Sequence, residues 1–323
     1  MKPERAARMI SGLALPADVK SKIAELGAAL ILDGAANNEA AAMAAVADVD
    51  VWFGPGLTPA VFANAKALRW FQTASVGIEY FMFPELRDSD VVVTNMRGRH
   101  TAVSEHAFAL ILALARVLPK QWLQQQTKTW LIPEPDEMSA LNGSRVTVLG
   151  TGQIGSQIAA RARAFEMRVT GVNQFGTPTE GFERIYPAEE LALSVAQADW
   201  VVNAMPLTDQ TRGAVSAAVF DAMKAGARFV NIGRGKTVDQ GALLAALRSG
   251  HLGAAALDVF ESEPLDREHP FWDMSNVIIT PHSAGVIPGF TVLELGVGCL
   301  FRNLALYQAG QPLFEPVDKK RGY

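Results

Sequence analysis

An apolar run, three closely spaced glycines and an apolar pattern of helical spacing follow one another directly in residues 145–165. The run Arg145-Val-Thr-Val-Leu149 is rich in β-branched residues, and the glycines after it favour a strand over a core helix. Helical spacing then relates Ile154, Ile158, Ala159, Ala162 and Phe165. The segment is therefore predicted to fold as a strand, a tight turn and a helix.

In this context the pattern Gly150-x-Gly152-x-x-Gly155 is typical of a dinucleotide-binding turn. Gly150 allows the sharp turn, Gly152 lets the backbone approach a pyrophosphate, and Gly155 brings the helix close to the strand. The N-terminus of the helix offers N–H groups and a positive dipole end to the phosphates. The hexapeptide alone is a weak signal, so the prediction depends on the flanking strand and helix.

Length and composition narrow the classes of protein. A chain of 323 residues is long for one hydrophobic core, so two domains are expected. With 49% hydrophobic residues and a net charge of −4, the chain has the composition of a soluble globular protein and no basic surplus for nucleic acid. The apolar run 107–115 has about half the roughly 20 residues that a membrane span needs. The single cysteine, Cys299, forms no internal disulfide, which suits the cytoplasm.

Upstream of the glycine turn, apolar runs alternate with alanine-rich helical patterns. Strands are predicted at 46–53, 68–73 and 91–95, and helices at 18–27 and 58–65. This alternation predicts a small parallel α/β domain. Its loop Thr73-Ala-Ser-Val-Gly77 is either a plain turn or a loop whose N–H groups bind an anion.

The segment between that domain and the glycine turn contains one apolar helix and a polar stretch. Residues 101–118 predict a buried helix, and residues 121–138 are expected to cross the surface irregularly. Trp122 and Trp130 either cover a partner subunit or cap the core. The second interpretation is favoured here, because aromatic side chains mostly serve packing.

Downstream of the turn, the strand signals recur with helices between them. Strands are predicted at 168–172, 200–204, 228–232, 254–259 and 277–280, and helices at 215–225, 238–248 and 289–308. Together with 145–149, these six strands predict a doubly wound parallel sheet, which binds ligands at the carboxyl ends of its strands. Residues 203–206, 233–235, 258–263 and 281–285 fall at those ends. The last dozen residues are expected to return to the first domain.

Three side chains at these strand ends could carry chemistry. Arg234 lies between two glycines, and its rigid fork of donors suits a carboxylate. Glu263 and His282 follow neighbouring strands, where a carboxylate can hold an imidazole and favour its charged form. The other histidines, at 100, 106, 251 and 269, lack such a setting. No Cys or His spacing indicates a metal, and no Gly-x-Ser-x-Gly elbow indicates a hydrolase.

These motifs, taken together, resemble the D-isomer-specific 2-hydroxyacid dehydrogenase family. Besides the glycine turn, the likeness rests on 231–239 (Asn-Ile-Gly-Arg-Gly-Lys-Thr-Val-Asp), 257–265 (Leu-Asp-Val-Phe-Glu-Ser-Glu-Pro-Leu) and 280–285 (Thr-Pro-His-Ser-Ala-Gly). It runs from about residue 68 to 285, and four motifs in register make it specific. The ending 316–323 and the region of Trp130 are similar to the glyoxylate/hydroxypyruvate reductase branch, which is a weaker match.

The resemblance implies a fold and an assembly. A doubly wound Rossmann domain of residues 99–285 is expected to be inserted into a smaller flavodoxin-like α/β substrate domain of residues 1–98 and 286–323. Homodimers are expected through the nucleotide-binding domain, with neither nucleic acid nor a membrane as partner.

The resemblance also implies the site. Arg234 binds the carboxylate and carbonyl of a small 2-keto or 2-hydroxy acid, His282 is the acid/base and Glu263 supports it, while the N–H groups of Val76 and Gly77 hold the carboxylate. The residues expected to contact the dinucleotide are Gly150, Gly152, Gln153, Ile154, Gly155, Asn173, Met205, Pro206, Ile232, Gly233, Asp258, His282, Ala284 and Gly285.

The choice of cofactor depends on Asn173. It stands where NAD-binding chains usually have an acidic residue for the ribose hydroxyls, and no arginine adjoins it. Asparagine neither repels nor attracts a 2′-phosphate, so NADP is preferred here and NAD remains open. The pocket walls are expected near 52–57, 76–80 and 287–290, and their apolar or small side chains leave the 2-keto acid undetermined.

Two alternatives to a keto-acid reductase remain. The first is a formate or phosphite dehydrogenase, although a formate dehydrogenase would be expected to have glutamine in place of Glu263. The second is a dinucleotide-sensing corepressor, which would not need Arg234, Glu263 and His282 together. The motifs favour an enzyme that transfers a hydride between NAD(P)H and a small 2-keto acid.

Overall fold

The computed structural model describes residues 5–96, 100–287, 289 and 291–322. The chain divides into two compact units, which are called here the terminal unit (Met1–Gly98 with Ile287–Tyr323) and the central unit (Arg99–Val286). The borders inferred from the sequence fall after residues 98 and 285.

The elements follow each other along the chain in an α/β pattern. The strands are β1 (Ala7–Ser11), β2 (Ala28–Leu32), β3 (Val51–Phe53), β4 (Trp70–Gln72), β5 (Val92–Thr94), β6 (Arg145–Leu149), β7 (Arg168–Asn173), β8 (Arg184–Pro187), β9 (Trp200–Asn203), β10 (Arg228–Asn231), β11 (Ala254–Leu257) and β12 (Val277–Ile279). The helices are α1 (Ala17–Glu25), α2 (Glu39–Ala45), α3 (Pro59–Asn64), α4 (Pro84–Arg87), α5 (His100–Ala115), α6 (Leu118–Gln126), α7 (Gln153–Ala164), α8 (Leu191–Val195), α9 (Ala217–Ala222), α10 (Gln240–Arg248) and α11 (Val292–Gln308).

In its described residues, the terminal unit has a five-stranded parallel sheet of order β2-β1-β3-β4-β5. This is the strand order of flavodoxin-like folds. Successive side chains face opposite sides: Trp52 and Phe71 pack with α2 and α3, while Phe53 and Trp70 pack with α1 and α11. Both faces of the sheet are thus covered by helices, as parallel sheets require.

The described part of the central unit has a seven-stranded parallel sheet of order β12-β11-β10-β9-β6-β7-β8. The chain runs outward from β6 to β8 and then returns to β9 on the other side of β6. The loops after β6 and β9 therefore flank the point where strand order reverses, at which such sheets bind ligands. Phe229 packs with α9 and α10 on one face, and Val230 with α5 and α7 on the other. The predicted doubly wound fold class is confirmed.

Several elements differ from the sequence prediction. Six strands were expected in the central sheet, but the edge strand β8 is a seventh; it has no buried side chain and ends at Pro187, which lacks an N–H. Strands β1 and β2 were not predicted. The strand expected at 46–53 begins only at Val51, because Val46 starts a 3₁₀ turn that buries both Val46 and Val49 at i, i+3 spacing.

The connection between the apolar helix and the glycine turn also differs from expectation. Helix α5 ends at Ala115, and α6 occupies the first part of a stretch expected to be irregular. The favoured interpretation of Trp122 and Trp130 as caps on the core is wrong, because their side chains are 68% and 94% exposed. Helix α6, which includes Trp122, has no buried residue that would pack it against the core.

The end of the chain returns to the terminal unit, as predicted. Leu300 and Leu304 of α11 are fully buried in the same core as Met9 and Trp70. Beyond α11, the N–H of Val317 donates to the carbonyl of Val93 at 2.8 Å. The core of this unit is therefore built from both ends of the sequence.

Among the described residues, no single helix has the length and apolar character for a membrane span. Helices α5 and α6 are bent by 69° relative to each other, and only when they are counted together do their length and composition suffice for a span.

Candidate active site

The glycine turn has the geometry that its sequence predicts. Gly150 has φ 93°, in the left-handed region that disfavours side chains, and a Cβ at Gly155 would lie 1.9 Å from the carbonyl oxygen of Gly150. At Gly152, which precedes α7, an added Cβ would meet no described atom within 4 Å, and no described side chain caps the helix. A crowded turn with one open side at a helix N-terminus fits a pyrophosphate.

The loop after β7 is organised by Asn173. Its side-chain NH₂ donates to Thr151 Oγ1 at 3.1 Å and to the carbonyl of Thr177 at 2.8 Å, while its Oδ1 accepts from the N–H groups of Phe175 and Thr177. Two donors and two acceptor contacts use the full capacity of a carboxamide. The side chain of Asn173 therefore stabilises the loop, and the next two side chains of this loop, Gln174 and Phe175, are exposed.

Arg234 follows β10 on a loop held by buried amides and a hydroxyl. Thr237 Oγ1 donates to the carbonyl of Arg234 at 2.6 Å and accepts from Asn203 Nδ2 at 2.7 Å. Asn203 Nδ2 also donates to Asn231 Oδ1 at 3.0 Å, and Asn231 Oδ1 accepts from Gly233 N–H at 3.2 Å. The side chains of Asn203, Asn231 and Thr237 are at most 2% exposed, so buried hydrogen bonds hold the backbone that carries Arg234.

The glycines beside Arg234 have a packing role. A Cβ at Gly235 would lie 1.8 Å from the carbonyl carbon of Phe260, and one at Gly233 would lie 2.8 Å from the carbonyl oxygen of Met205. These glycines were expected to serve ligand binding, but the close approach of neighbouring loops is what requires a residue without a Cβ at both positions. The half-buried Arg234 also donates from Nη1 to the carbonyl of Gly233 at 2.8 Å.

His282 and Glu263 form a pair at the ends of β12 and β11. His282 Nδ1 lies 2.7 Å from Glu263 Oε2, and the other carboxylate oxygen accepts from the N–H of Phe260 at 2.9 Å. Because an ionised carboxylate only accepts, Nδ1 carries a proton and Nε2 is left for exchange with a substrate. His282 has φ 51°, and its side chain is 51% exposed. The predicted acid–imidazole pair is present.

Asp258 holds the backbone of the loop that carries His282. Its Oδ1 accepts from Thr280 Oγ1 at 2.6 Å and from the N–H of Ser283 at 2.9 Å, and its Oδ2 accepts from the N–H of Ala284 at 3.0 Å. Its carbonyl accepts from the N–H of His282 at 2.8 Å. Asp258 was expected to contact the cofactor, but this residue is 1% exposed and its carboxylate accepts hydrogen bonds from within the protein.

The other expected cofactor contacts lie at the carboxyl ends of neighbouring strands. Met205 and Pro206 follow β9, Ile232 and Gly233 follow β10, Ala284 and Gly285 follow β12, and Gln153 and Ile154 begin α7. Gln153 is exposed, Ile154, Pro206 and Gly285 are half-buried, and Met205, Ile232, Gly233 and Ala284 are buried. These positions agree with a ligand that lies along one edge of the central sheet.

In the terminal unit, the loop after β4 presents two neighbouring N–H groups. Asn95 Nδ2 donates to the carbonyl of Val76 at 2.7 Å, and the N–H of Met96 donates to the carbonyl of Ser75 at 2.9 Å. Among the hydrogen bonds between described residues, neither Val76 N–H nor Gly77 N–H is a donor. Such a pair suits an anion. Asn95 was not among the residues expected at this site, although its position directly after β5 is a signal that could have revealed it.

The expected pocket walls need one correction. Trp52 is fully buried and donates from Nε1 to the carbonyls of Gly54 and Pro55, each at 3.2 Å, so it is a core residue and not a wall. Tyr80 is 83% exposed. Pro288 and Phe290, from the third expected segment, lie outside the described residues. Within the described part of the chain, no group of three or more His, Cys, Asp or Glu is placed to hold a metal ion.

Comparison with protein families gives a match to the D-isomer specific 2-hydroxyacid dehydrogenase, NAD binding domain, over residues 108–284, more than half of the chain. The chain belongs to the D-isomer-specific 2-hydroxyacid dehydrogenase family. This membership confirms the resemblance noted in the sequence and identifies the central unit of this dehydrogenase as its NAD-binding domain.

Curated and solved relatives agree. A glyoxylate/hydroxypyruvate reductase A of Arabidopsis thaliana is 36% identical over 266 residues, 81% of this chain and 82% of the relative. The NADPH-dependent glyoxylate/hydroxypyruvate reductase of Sinorhizobium meliloti, solved with NADP and sulfate, has a TM-score of 0.81 at 28% identity, covering 98% of this dehydrogenase and 100% of that chain. A D-isomer specific 2-hydroxyacid dehydrogenase of Xanthobacter autotrophicus, solved with NADPH and MES, has a TM-score of 0.80 at 28% identity, covering 99% and 100%.

Family, fold and site thus agree on the type of chemistry. This dehydrogenase is an NAD(P)-dependent oxidoreductase of small 2-hydroxy and 2-keto acids. The formate or phosphite dehydrogenase and corepressor alternatives are not favoured, because relatives of this chain are glyoxylate and glyoxylate/hydroxypyruvate reductases and because Glu263 contacts His282.

Proposed function

We propose that this dehydrogenase reduces small 2-keto acids, with glyoxylate and hydroxypyruvate as the first candidates, to the corresponding 2-hydroxy acids, which have the D configuration where the product is chiral. The observation that carries the proposal is the pair of His282 and Glu263, 2.7 Å apart on the sheet edge that also holds the glycine turn. The named activities of the Arabidopsis and Sinorhizobium relatives support this substrate class.

Each residue has a role in the proposed reaction. The bound reduced nicotinamide supplies a hydride to the keto carbon. His282 donates a proton from Nε2 to the carbonyl oxygen, while Glu263 holds Nδ1 and so keeps the ring oriented. Arg234 stabilises the charge that develops on that oxygen and binds the substrate carboxylate. In the terminal unit, the N–H groups of Val76 and Gly77 are suited to a carboxylate.

We propose NADPH as the preferred cofactor. Residues 173–179 include no acidic residue that would repel a 2′-phosphate, and the Sinorhizobium and Xanthobacter relatives were solved with NADP or NADPH. Asn173 is saturated by its own loop, so the exposed Gln174 is the side chain that a 2′-phosphate would meet first.

A panel of 2-keto acids tests both proposals. Glyoxylate, hydroxypyruvate, pyruvate and longer 2-keto acids are each mixed with NADPH or NADH, and oxidation of the nicotinamide is followed by absorbance. We expect glyoxylate or hydroxypyruvate with NADPH to give the highest kcat/KM. Absence of turnover with every 2-keto acid would contradict the function, and faster turnover with NADH would contradict only the cofactor preference.

Two opposite substitutions at one exposed position serve as matched controls for the cofactor. Gln174→Arg adds a charge that attracts the 2′-phosphate, and Gln174→Asp adds one that repels it. The ratio of kcat/KM with NADPH to that with NADH is expected to rise in the first variant and to fall in the second. Equal ratios in both variants would show that Gln174 does not face the ribose.

We also propose that the protein is a homodimer through its central unit. Leu118, Trp122, Leu123, Trp130, Leu131 and Ile132 are exposed within one stretch of 15 residues, and each is at least 46% accessible. Monomers rarely leave so many large apolar side chains together in water. A second copy of the chain that packs against this segment would bury them.

A cytoplasmic location is proposed as well. The only cysteine, Cys299 of α11, cannot form a disulfide within the chain, and NADPH-dependent reduction suits a reducing compartment.

A further inference from the structure

His106 lies on the apolar helix α5 and reaches the loop that carries His282. Its Nε2 is 3.0 Å from Thr280 Oγ1 and 3.5 Å from Asp258 Oδ1. The side chain is 23% exposed, although helix positions around it are occupied by the buried Val103, Ala107 and Leu110. A polar ring in such a setting needs a partner, and Thr280 is that partner.

The proton of Thr280 fixes the direction of this hydrogen bond. A hydroxyl has one proton, and the 2.6 Å separation from Asp258 Oδ1 is typical of a hydroxyl that donates to a carboxylate. Thr280 Oγ1 must therefore accept from His106. It follows that His106 carries a proton on Nε2, and that donation runs from His106 to Thr280 and on to Asp258.

Asp258 is the last acceptor in this series of hydrogen bonds, and it also holds the backbone of the loop that carries His282. It accepts from the N–H groups of Ser283 and Ala284, and His282, between Thr280 and these residues, is held at φ 51°. The left-handed region is uncommon for every residue other than glycine, so the surrounding hydrogen bonds help to maintain it at His282. Any rotation of the Asp258 carboxylate would loosen the backbone that aims the imidazole.

We propose that His106 is a positioning residue, which acts through Thr280 to orient the Asp258 carboxylate and so keeps His282 in place for proton transfer. The inference rests on the proposed function, since it concerns the acid/base of that reaction. His106 itself contacts neither Glu263 nor the ring of His282 among the described hydrogen bonds. Its effect is on kcat rather than on the binding of substrate or dinucleotide.

Two substitutions of His106 distinguish the loss of its hydrogen-bond donor from the loss of the imidazole ring. His106→Leu removes the donor, and we expect kcat to fall about threefold to tenfold, the range of one lost hydrogen bond, with little change in KM. His106→Gln can place an amide N–H near the position of Nε2, and we expect it to restore kcat to within about twofold of the parent. His251→Leu is the matched control, because His251 Nε2 lies 3.0 Å from the carbonyl of Phe220, away from this loop, and its kcat should not change.

A double substitution tests whether both residues act through one hydroxyl. Thr280→Val removes the link, and we expect kcat in Thr280→Val and in the double variant with His106→Leu to agree within about twofold. Independent, additive losses would overturn the proposal, as would an unchanged kcat in His106→Leu or an equal loss in His106→Gln.

Hydrogen exchange provides a readout without activity. In peptides that cover residues 281–286, the amides of Ser283 and Ala284 should exchange faster in His106→Leu and Thr280→Val than in the parent, and at the parent rate in His106→Gln and His251→Leu. Equal exchange in all variants would overturn the proposal even if keto-acid reduction is established. Conversely, the expected exchange pattern without turnover would refute the proposed function and leave the positioning role standing.

Discussion

At the scale of single residues, the site depends on one imidazole whose two nitrogens have different tasks. Nδ1 of His282 is engaged by Glu263 at 2.7 Å, and Nε2 is left for the substrate. Because a carboxylate accepts and cannot donate, it keeps a proton on Nδ1, so that Nε2 is the nitrogen that can take up a proton and then pass it to the substrate. The left-handed backbone at φ 51° aims the ring and limits which side chains can replace it.

His282→Asn tests this role with little disturbance of the backbone, because asparagine tolerates the left-handed region better than most residues. We expect kcat for keto-acid reduction to fall about a hundredfold or more. Dinucleotide binding, measured by isothermal titration calorimetry, should stay within about threefold, since one ring contact is lost and the glycine turn remains. A variant with the turnover number of the parent protein would exclude His282 as the acid.

The sequence located residues at strand ends and paired Glu263 with His282, but it did not show the partners of Asp258, Asn173 and His106. The likeness of motifs located Arg234, Glu263 and His282, and the rule that ligands bind at carboxyl ends explains why. Asp258 and Asn173 were assigned to the cofactor, yet their side chains are used by neighbouring loops. His106 looked like an ordinary helix residue, because its partner lies 174 positions away in sequence. Hydrogen bonds over such separations are not visible in a local pattern.

At the scale of elements, strands with a continuous apolar run were predictable, whereas β1, β2 and β8 were not. The central strands β6, β9 and β10 are continuous apolar runs because helices cover both faces. The edge strand β8 has no such run, and β1 and β2 both begin with alanine, which is depleted in strands. The sheet orders come from pairing between distant segments, which periodicity does not encode.

The amino ends of the central strands are joined by Asp199. Its carboxylate accepts from the N–H of Arg145 at 2.8 Å and from Lys224. Partial burial alone would raise the pKa of Asp199, but the hydrogen bonds from Lys224 and Arg145 outweigh it and hold the pKa below its ordinary value. A lowered pKa stabilises the folded protein above the unfolded pKa of about 3.9, and this contribution is lost as pH falls below it.

Asp199→Asn should therefore lower stability in a pH-dependent manner. At pH 7 we expect a loss of about 1 kcal/mol, a modest value because the carboxylate is partly exposed. At about pH 3 the difference from the parent should be much smaller. Urea unfolding monitored by circular dichroism at both pH values measures it, with the exposed Asp209→Asn as control. A loss of equal size at both pH values would contradict the assignment.

At the scale of the whole molecule, the exposed apolar stretch 118–132 is the main feature that one chain leaves unexplained. Helix α6 has no buried residue of its own, and Trp130 and Ile132 are 94% and 81% exposed. The tryptophans of this stretch are visible in the sequence, but they were expected to cap the core, because aromatic residues usually pack within their own chain. A subunit interface would explain why the stretch is rich in tryptophan and leucine.

Leu123→Glu tests the proposed dimer. We expect the parent protein to sediment at about twice the 34.7 kDa of one chain, and the variant to dissociate at micromolar concentration, because a buried unpaired charge is costly. Leu193→Glu is the matched control: Leu193 of α8 is 59% exposed, Leu123 is 65% exposed, and only the latter lies in the stretch. A parent protein that sediments as a monomer, or equal dissociation of both variants, would contradict the proposal.

The split sequence of the terminal unit has a consequence for biosynthesis. Residues 5–96 leave the ribosome before the central unit, but Leu300 and Leu304, which complete one face of their core, and Val317, which binds Val93, are translated after it. The nascent amino-terminal sheet must therefore wait, with one apolar face uncovered, while the whole continuous central unit is synthesised and able to fold. During this interval a chaperone has a defined surface to protect, and a truncation before α11 leaves that surface permanently open.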